Sequence, residues 1–140
     1  MDSSQVGLLL AIIVLVVFSA FFSASETSFT SLNKVRLMNM EDQGNKRASA
    51  VLKMSENYDK LLSTILVGNN IVNILATSLS SVLFASLIIN NASLATTVST
   101  IVMTVVVLIF GEITPKMLAK MRPESVAMAF YPILKFFSVV

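Results

Sequence analysis

The sequence predicts an all-α membrane protein: three transmembrane helices, juxtamembrane helices lying as a belt on the inner surface, and a third span distorted by proline and glycine. Three observations predict it. The 140 residues are 55% hydrophobic and only 13% charged, with a mean hydropathy of +0.82, where a soluble domain runs nearer a quarter charged. Three apolar stretches are each long enough to cross roughly 30 Å of hydrocarbon at about 1.5 Å per residue. The basic residues gather in the segments that follow the first and third of these stretches. The net charge of +2 is too small to point to nucleic acid, which leaves membrane lipid as the expected surrounding partner.

The first span is expected over residues 6–32, opening with the uninterrupted run LLLAIIVLVVF. It has no basic leader and runs on into the polar SASETS without a small-residue cleavage site, so a removable signal peptide is not expected. The second span is expected over 61–89 and the third over 94–116, with only Asn90, Asn91, Ala92 and Ser93 between them as a tight uncharged hairpin. The loop from Asn33 to Lys60 carries Lys34, Arg36, Lys46, Arg47, Lys53 and Lys60. By the positive-inside rule that loop is cytoplasmic. Lys116, Lys120, Arg122 and Lys135 follow the third span, which gives an N-terminus outside and a C-terminus inside. Residues 41–59 and 125–140 read as juxtamembrane helices. The first has Ala48, Val51, Leu52 and Tyr58 near one face, and a solvated helical hairpin is its alternative. The second is interrupted by Pro132 and Lys135 and is short for a span. With no linker, repeat or low-complexity tract, residues 1–140 are expected to form a single transmembrane domain.

Cysteine and histidine are both absent. Their absence excludes disulfide frameworks, thiolate metal sites, Cys nucleophiles, the Ser-His-Asp triad and the commonest transition-metal ligand. No Asp pair or Ser–Lys arrangement lies within the spans, and no enzyme is expected. The remaining chemistry belongs to hydroxyls, amides, carboxylates and backbone carbonyls, which suit hard cations.

Ionisable and amide side chains enter each apolar stretch in one cluster, and such groups are costly in hydrocarbon unless they face a cavity or a partner. In the first span Ser19, Ser23 and Glu26 share a helical face, while Ser25 points well away from Ser23. The second span carries Asn69, Asn70 and Asn73 within five residues. One asparagine is readily explained as a bond between helices; three favour a binding role. The third carries F-G-E-I-T-P-K, residues 110–116. Pro115 has no N–H and crowds the carbonyl four residues earlier, that of Gly111, which in a dry helix must find another donor or a cation. Gly111 has no Cβ, so a helix or an ion can approach closely. Glu112 stands beside it, and a local π or 3₁₀ distortion is expected there. The alternative is a simple proline kink with a Glu112–Lys116 pair reaching for the interface.

Depth lets the three clusters meet. Ser23 lies roughly 25 Å below the outer start of its span and Glu112 roughly 27 Å below that of the third, while Asn70 lies roughly 13 Å above the inner start of the second. All fall in the inner half of the bilayer. Hydroxyls, an amide oxygen, one carboxylate and a backbone carbonyl make an all-oxygen site fit for Mg²⁺ or Na⁺.

The motifs S-A-S-E-T-S-F-T-S-L (residues 23–32), I-L-V-G-N-N-I-V-N-I (65–74) and F-G-E-I-T-P-K, in that order, resemble the transmembrane domain of the CNNM/CorC magnesium transporters. The resemblance covers essentially the whole chain. It implies a homodimer in a plasma or inner membrane, each protomer with three spans and a belt of cytosolic helices, exporting Mg²⁺ in exchange for Na⁺. Carried over motif by motif, the ion site uses Ser19, Ser23, Ser25, Asn70, Gly111 and Glu112, supported by Glu26, Asn69, Asn73, Pro115 and Lys116. Full-length members continue into a cytoplasmic CBS-pair module that binds ATP–Mg²⁺, whereas this sequence stops at Val140. Mg²⁺ is thus the expected transported ion and Na⁺ the expected coupling ion. A Mg²⁺ channel, or a non-transporting Mg²⁺-sensing anchor for cytoplasmic domains, are the alternatives. Small residues on the second span, Ala76, Ser80, Ala85 and Ser86, would permit close helix contact in a dimer.

Overall fold

Asparagines set three of the helix starts. In the computed structural model, which describes residues 3–88 and 90–139, the side chains of Asn33, Asn45 and Asn91 each accept a hydrogen bond from the backbone N–H three residues on, at 3.1, 3.1 and 3.0 Å. Each satisfies a donor that a helix N-terminus otherwise leaves orphaned. The resulting helices are α1 (Ser3–Thr30), α2 (Lys34–Asp42), α3 (Lys46–Glu56), α4 (Tyr58–Leu87) and α5 (Ala92–Val106). A π-helical segment (Val107–Ile113), α6 (Thr114–Met121) and α7 (Pro123–Val139) complete the chain. Among the described residues there is no strand.

The fold is all-α, as the sequence predicts, and three helical stretches are long and apolar enough to cross a membrane. They run Ser3–Thr30, Tyr58–Leu87 and Ser93–Met121, beside the expected 6–32, 61–89 and 94–116; position 89 lies outside the described residues. Large apolar side chains stay exposed along all three, including Val17 at 62%, Ile74 at 66% and Ile101 at 60%. Water would not tolerate so wide an apolar surface, and hydrocarbon does.

The helix expected over 41–59 is instead the end of α2, a turn, α3 and the first residues of α4. Gly44 takes a positive φ of 92°. Its N–H bonds to the Glu41 carbonyl at 2.9 Å and the Asn45 N–H to that of Met40 at 3.0 Å. This is a Schellman ending, with glycine at the left-handed position, and Asn45 then caps the next helix. The expected segment 125–140 is helical from Pro123, with Pro132 inside it; position 140 lies outside the described residues.

α1 is the helix around which the others gather. It packs along α4 and also touches the π segment, α6 and α7. One core cluster joins Phe22, Phe29, Leu61 and Ile65 to Leu37, Val51, Ala127 and Leu134 of the shorter helices; a second joins Ile12 and Val16 to Ala76, Leu83 and Met103. Ser80 and Ser99, both buried, share a hydroxyl bond of 2.8 Å between α4 and α5. Of the small residues expected to serve a dimer contact, Ala76 and Ser80 are consumed by packing within the protomer, whereas Ala85 and Ser86 remain exposed. Outside the spans, Arg36 Nη1 of α2 lies 3.4 Å from Oε1 of the buried Glu124 in α7. It is a charge contact without hydrogen-bond alignment, tying α2 to α7.

Gly68 of α4 is where Phe22 enters. A β-carbon there would sit 2.7 Å from Phe22 Cζ, so Gly68→Ala must push the ring aside and is expected to cost about 1–3 kcal/mol. The cost reads as a lowered melting temperature in detergent, and adding Phe22→Leu is expected to restore much of it.

Candidate functional site

Pro115 offers no N–H to the turn above it, so one of the Phe110 and Gly111 carbonyls lacks a helical donor. The chain answers with a change of register. Val107–Ile113 is π-helical, and the Thr114 N–H reaches back five residues to the Ile109 carbonyl. The distortion expected at this motif is therefore present, in its π form. Phe110 is left 61% exposed on the outside of the segment, while Gly111 is buried.

Gly111 is buried against α1. A β-carbon on it would lie 3.1 Å from Ser19 Oγ and 3.5 Å from Ser19 Cβ, so any larger residue there would require the Ser19 side chain to give by a few tenths of an ångström, and glycine lets it sit close without strain. Ser19, fully buried, in turn donates its hydroxyl proton to Asn69 Oδ1 at 3.0 Å. One residue from each of the three polar motifs thus meets at one place. With its proton committed to Asn69, the Ser19 oxygen keeps lone pairs free to accept, and it lies beside the π segment in which one carbonyl is short of a donor. Oxygens from α1, α4 and the π segment are thus brought into one neighbourhood, and oxygen is the donor type that suits hard cations.

The other expected site residues divide. Ser23 is buried one turn below Ser19 on the same face of α1. Ser25 is also buried, but its hydroxyl donates to its own helix at the Phe21 carbonyl, 2.7 Å away. Glu26, Glu112 and Lys116 are half-buried, and Pro115 is buried. Among the described residues no ion pair joins Glu112 to Lys116, so the simple kink with a reaching pair is not what forms here. Asn70 is exposed; the asparagine that reaches Ser19 is Asn69, expected only as a supporting residue. The helical phase held the signal. Leu61, Ile65, Ala76, Ser80 and Leu83 mark the buried face of α4, and Asn69, four residues after Ile65, flanks it. Asn70 follows Leu66 and precedes Ile74, both exposed.

Asn73 opens a second polar place. It lines a cavity of about 260 Å³ between α4 and α5 with Thr77, Thr100, Met103, Thr104 and Val107. The hydroxyls of Thr77, Thr100 and Thr104 donate to carbonyls of their own helices at 2.9, 2.9 and 2.6 Å. Each of these hydroxyl protons is thereby committed within its own helix, the cavity wall is mostly apolar, and Asn73 Oδ1 is buried without a hydrogen-bond partner among the described residues. Val107 also reaches toward Gly111, so this cavity adjoins the Ser19–Asn69–Gly111 site. The threonines were not singled out from sequence, since each alone reads as an ordinary helix residue bonding back to its own turn.

Spans of this length, carrying hydroxyl and amide oxygens in their interior and a proline-broken turn beside them, define a multi-pass membrane protein of transporter type. The chain belongs to the CNNM family: the model of the Cyclin M transmembrane N-terminal domain matches residues 10–140. It is 45% identical over 109 residues to the UPF0053 inner membrane protein YfjD of Escherichia coli, covering 78% of this chain and 25% of that protein. It is 43% identical over 128 residues to a UPF0053 protein of Haemophilus influenzae, covering 91% of this chain and 30% of that one. It is also 30% identical over 138 residues to the polyamine export protein of Escherichia coli, covering 91% of this chain and 31% of that one. The chain therefore spans less than a third of the length of these curated relatives.

Because Gly111 leaves room for Ser19, Gly111→Ala is expected to shift the Ser19 side chain and strain its bond to Asn69, and, if the site takes a cation, to weaken that binding about tenfold. Ser19→Ala alone should leave the helices packed while removing the bond to Asn69. Calorimetry of both variants, alongside their melting temperatures, separates ligand loss from packing loss.

Proposed function

We propose that this protein carries Mg²⁺ across the membrane, exporting it in exchange for Na⁺ by alternating access. The single observation that carries the reading is the meeting of Ser19, Asn69 and Gly111, one from each motif, beside a carbonyl deprived of its donor. Glu112, next in sequence to Gly111 and half-buried, would supply the one formal charge, and Ser23 a further hydroxyl. Mg²⁺ is here the transported substrate. A divalent ion leaving water needs a full set of oxygens and some compensating charge, and a single carboxylate supplies charge without holding the ion too tightly to release. The neutral cavity at Asn73, with its unpartnered amide oxygen, suits a monovalent ion, whose desolvation costs less. It supports Na⁺ as the coupling ion, in the manner of unwound and half-helical segments that coordinate Na⁺ in other transporters.

The reading extends to the assembly. Three helices leave one flank of a polar site open, which supports a homodimer, and the greater length of the relatives leaves room for a cytoplasmic CBS-pair module. The basic residues of 33–60 support an N-terminus outside and a C-terminus inside.

A second reading rests on a specific likeness. A relative 30% identical across 91% of this chain is named a polyamine export protein. Two adjoining places that present hydroxyl and amide oxygens would also receive ammonium groups. Proteoliposomes separate the readings. Mg²⁺ efflux that rises with an opposing Na⁺ gradient supports the exchanger, and polyamine flux without Mg²⁺ flux supports the second reading. Mg²⁺ flux indifferent to Na⁺ would indicate a channel, and binding without flux a sensing anchor.

Asn69→Ala and Glu112→Gln are expected to reduce Mg²⁺ binding by the detergent-solubilised protein at least tenfold in calorimetry, whereas Asn70→Ala is expected to change it little. Unchanged affinity in the first two would remove the site assignment.

A further inference from the structure

A separate pocket lies where α4 leaves the apolar region. It is lined by Lys53 and Met54 of α3, by Asn57, Lys60 and Leu61 around the start of α4, and by Tyr131 of α7, and has a volume of about 220 Å³. Its polar side is rich in donors. Neither Lys53 nor Lys60 is in an ion pair among the described residues, and the Tyr131 hydroxyl has no hydrogen-bond partner among them. Asn57 precedes α4 without capping it: its side chain makes no bond to the helix N-terminus. The first N–H groups of a 30-residue helix therefore remain available there, at the positive end of its dipole. Glu56 and Asp59 are close in sequence, but both are exposed and neither lines the pocket. Two ammonium groups, a phenol and a helix N-terminus with no facing carboxylate describe a receptor for an anion.

Position along the span narrows the anion further. The pocket sits at the first turn of a helix whose next residues, Leu61, Leu62 and Ile65, begin the membrane-crossing stretch. That is the depth of lipid headgroups. Met54 and Leu61 supply an apolar wall beside the charges, matching a ligand with a phosphate at one end and hydrocarbon at the other. We infer that this pocket binds the phosphate of an anionic phospholipid, with Lys53, Lys60 and Tyr131 on its oxygens and the acyl chains running down α4. Binding there would brace α3, α4 and α7 against one another at the membrane surface, independently of the ion that the spans carry.

The test is native mass spectrometry of the purified protein titrated with phosphatidylglycerol or phosphatidylcholine. Phosphatidylglycerol is expected to bind the unaltered protein in preference to phosphatidylcholine. Lys53→Gln with Lys60→Gln should lower that affinity about tenfold, given the known attraction of each basic residue to anionic lipid. Lys53→Arg with Lys60→Arg should keep it, as should Lys34→Gln with Arg47→Gln, which removes the same charge elsewhere. Equal binding of the two lipids, no change in the Gln pair, or an equal loss in the Lys34 and Arg47 control would overturn the assignment. Displacement of the lipid by inorganic phosphate at comparable concentration would overturn it too, marking a site for a free anion.

Discussion

A helix in hydrocarbon has no water to repair a missing hydrogen bond, and Pro115 removes one. The arrangement around it follows from that loss. The backbone slips into a π register over Val107–Ile113, with Thr114 bonding back to Ile109. The slip turns Phe110 outward and Gly111 inward. Glycine then allows α1 to press its Ser19 against the segment. Ser19 is left with one direction for its proton, and Asn69 takes it. A local defect in one helix thereby fixes the relative placement of three.

The same economy explains why α1 is built as it is. Ser19, Ser23, Ala24, Ser25 and Ser28 are all buried, and all are small. In water such a run would weaken a core, but between membrane helices small side chains are what allow close packing, since lipid gives apolar bulk no advantage. Serine adds an oxygen at almost no cost in volume. Where that oxygen bonds back to its own helix, as at Ser25 and Ser28, the residue is a packing element. Where it bonds across to another helix, as at Ser19, it joins the polar motifs of two spans. The two kinds are identical in sequence and are separated only by what lies opposite.

This distinction sets how much the sequence reveals. Span number and the distortion above Pro115 are legible because they depend on length, hydropathy and the chemistry of one residue. The break at Gly44 is equally legible, as a glycine followed by a capping asparagine, although the apolar spacing of Ala48, Val51 and Leu52 taken alone favours one continuous helix. The choice of Asn69 over Asn70 needs the phase of α4 against α1. Two adjacent residues differ by about 100° around a helix, and only a partner decides which one faces inward. The cavity beside Asn73 was illegible for a different reason. Its threonines come from two helices that are distant in sequence, and none is unusual until they are brought together.

Charge is spread in the same sparing way. The interior of the spans offers hydroxyls, amides and carbonyls at its centre and keeps its carboxylates, Glu26 and Glu112, half-buried at the edge. A fully buried unpaired carboxylate would cost several kcal/mol, and once matched by a cation it would be slow to let go. Neutral oxygens cost less to hold empty, because some of their hydrogen-bonding capacity is met within the fold, as with Ser19 and Asn69. The ionic contact among the described residues lies elsewhere, between the exposed Arg36 and the buried Glu124 at 3.4 Å, outside the spans. Opposite charges are therefore paired between the shorter helices, while within the spans the described contacts between helices are made by neutral hydroxyls and amides.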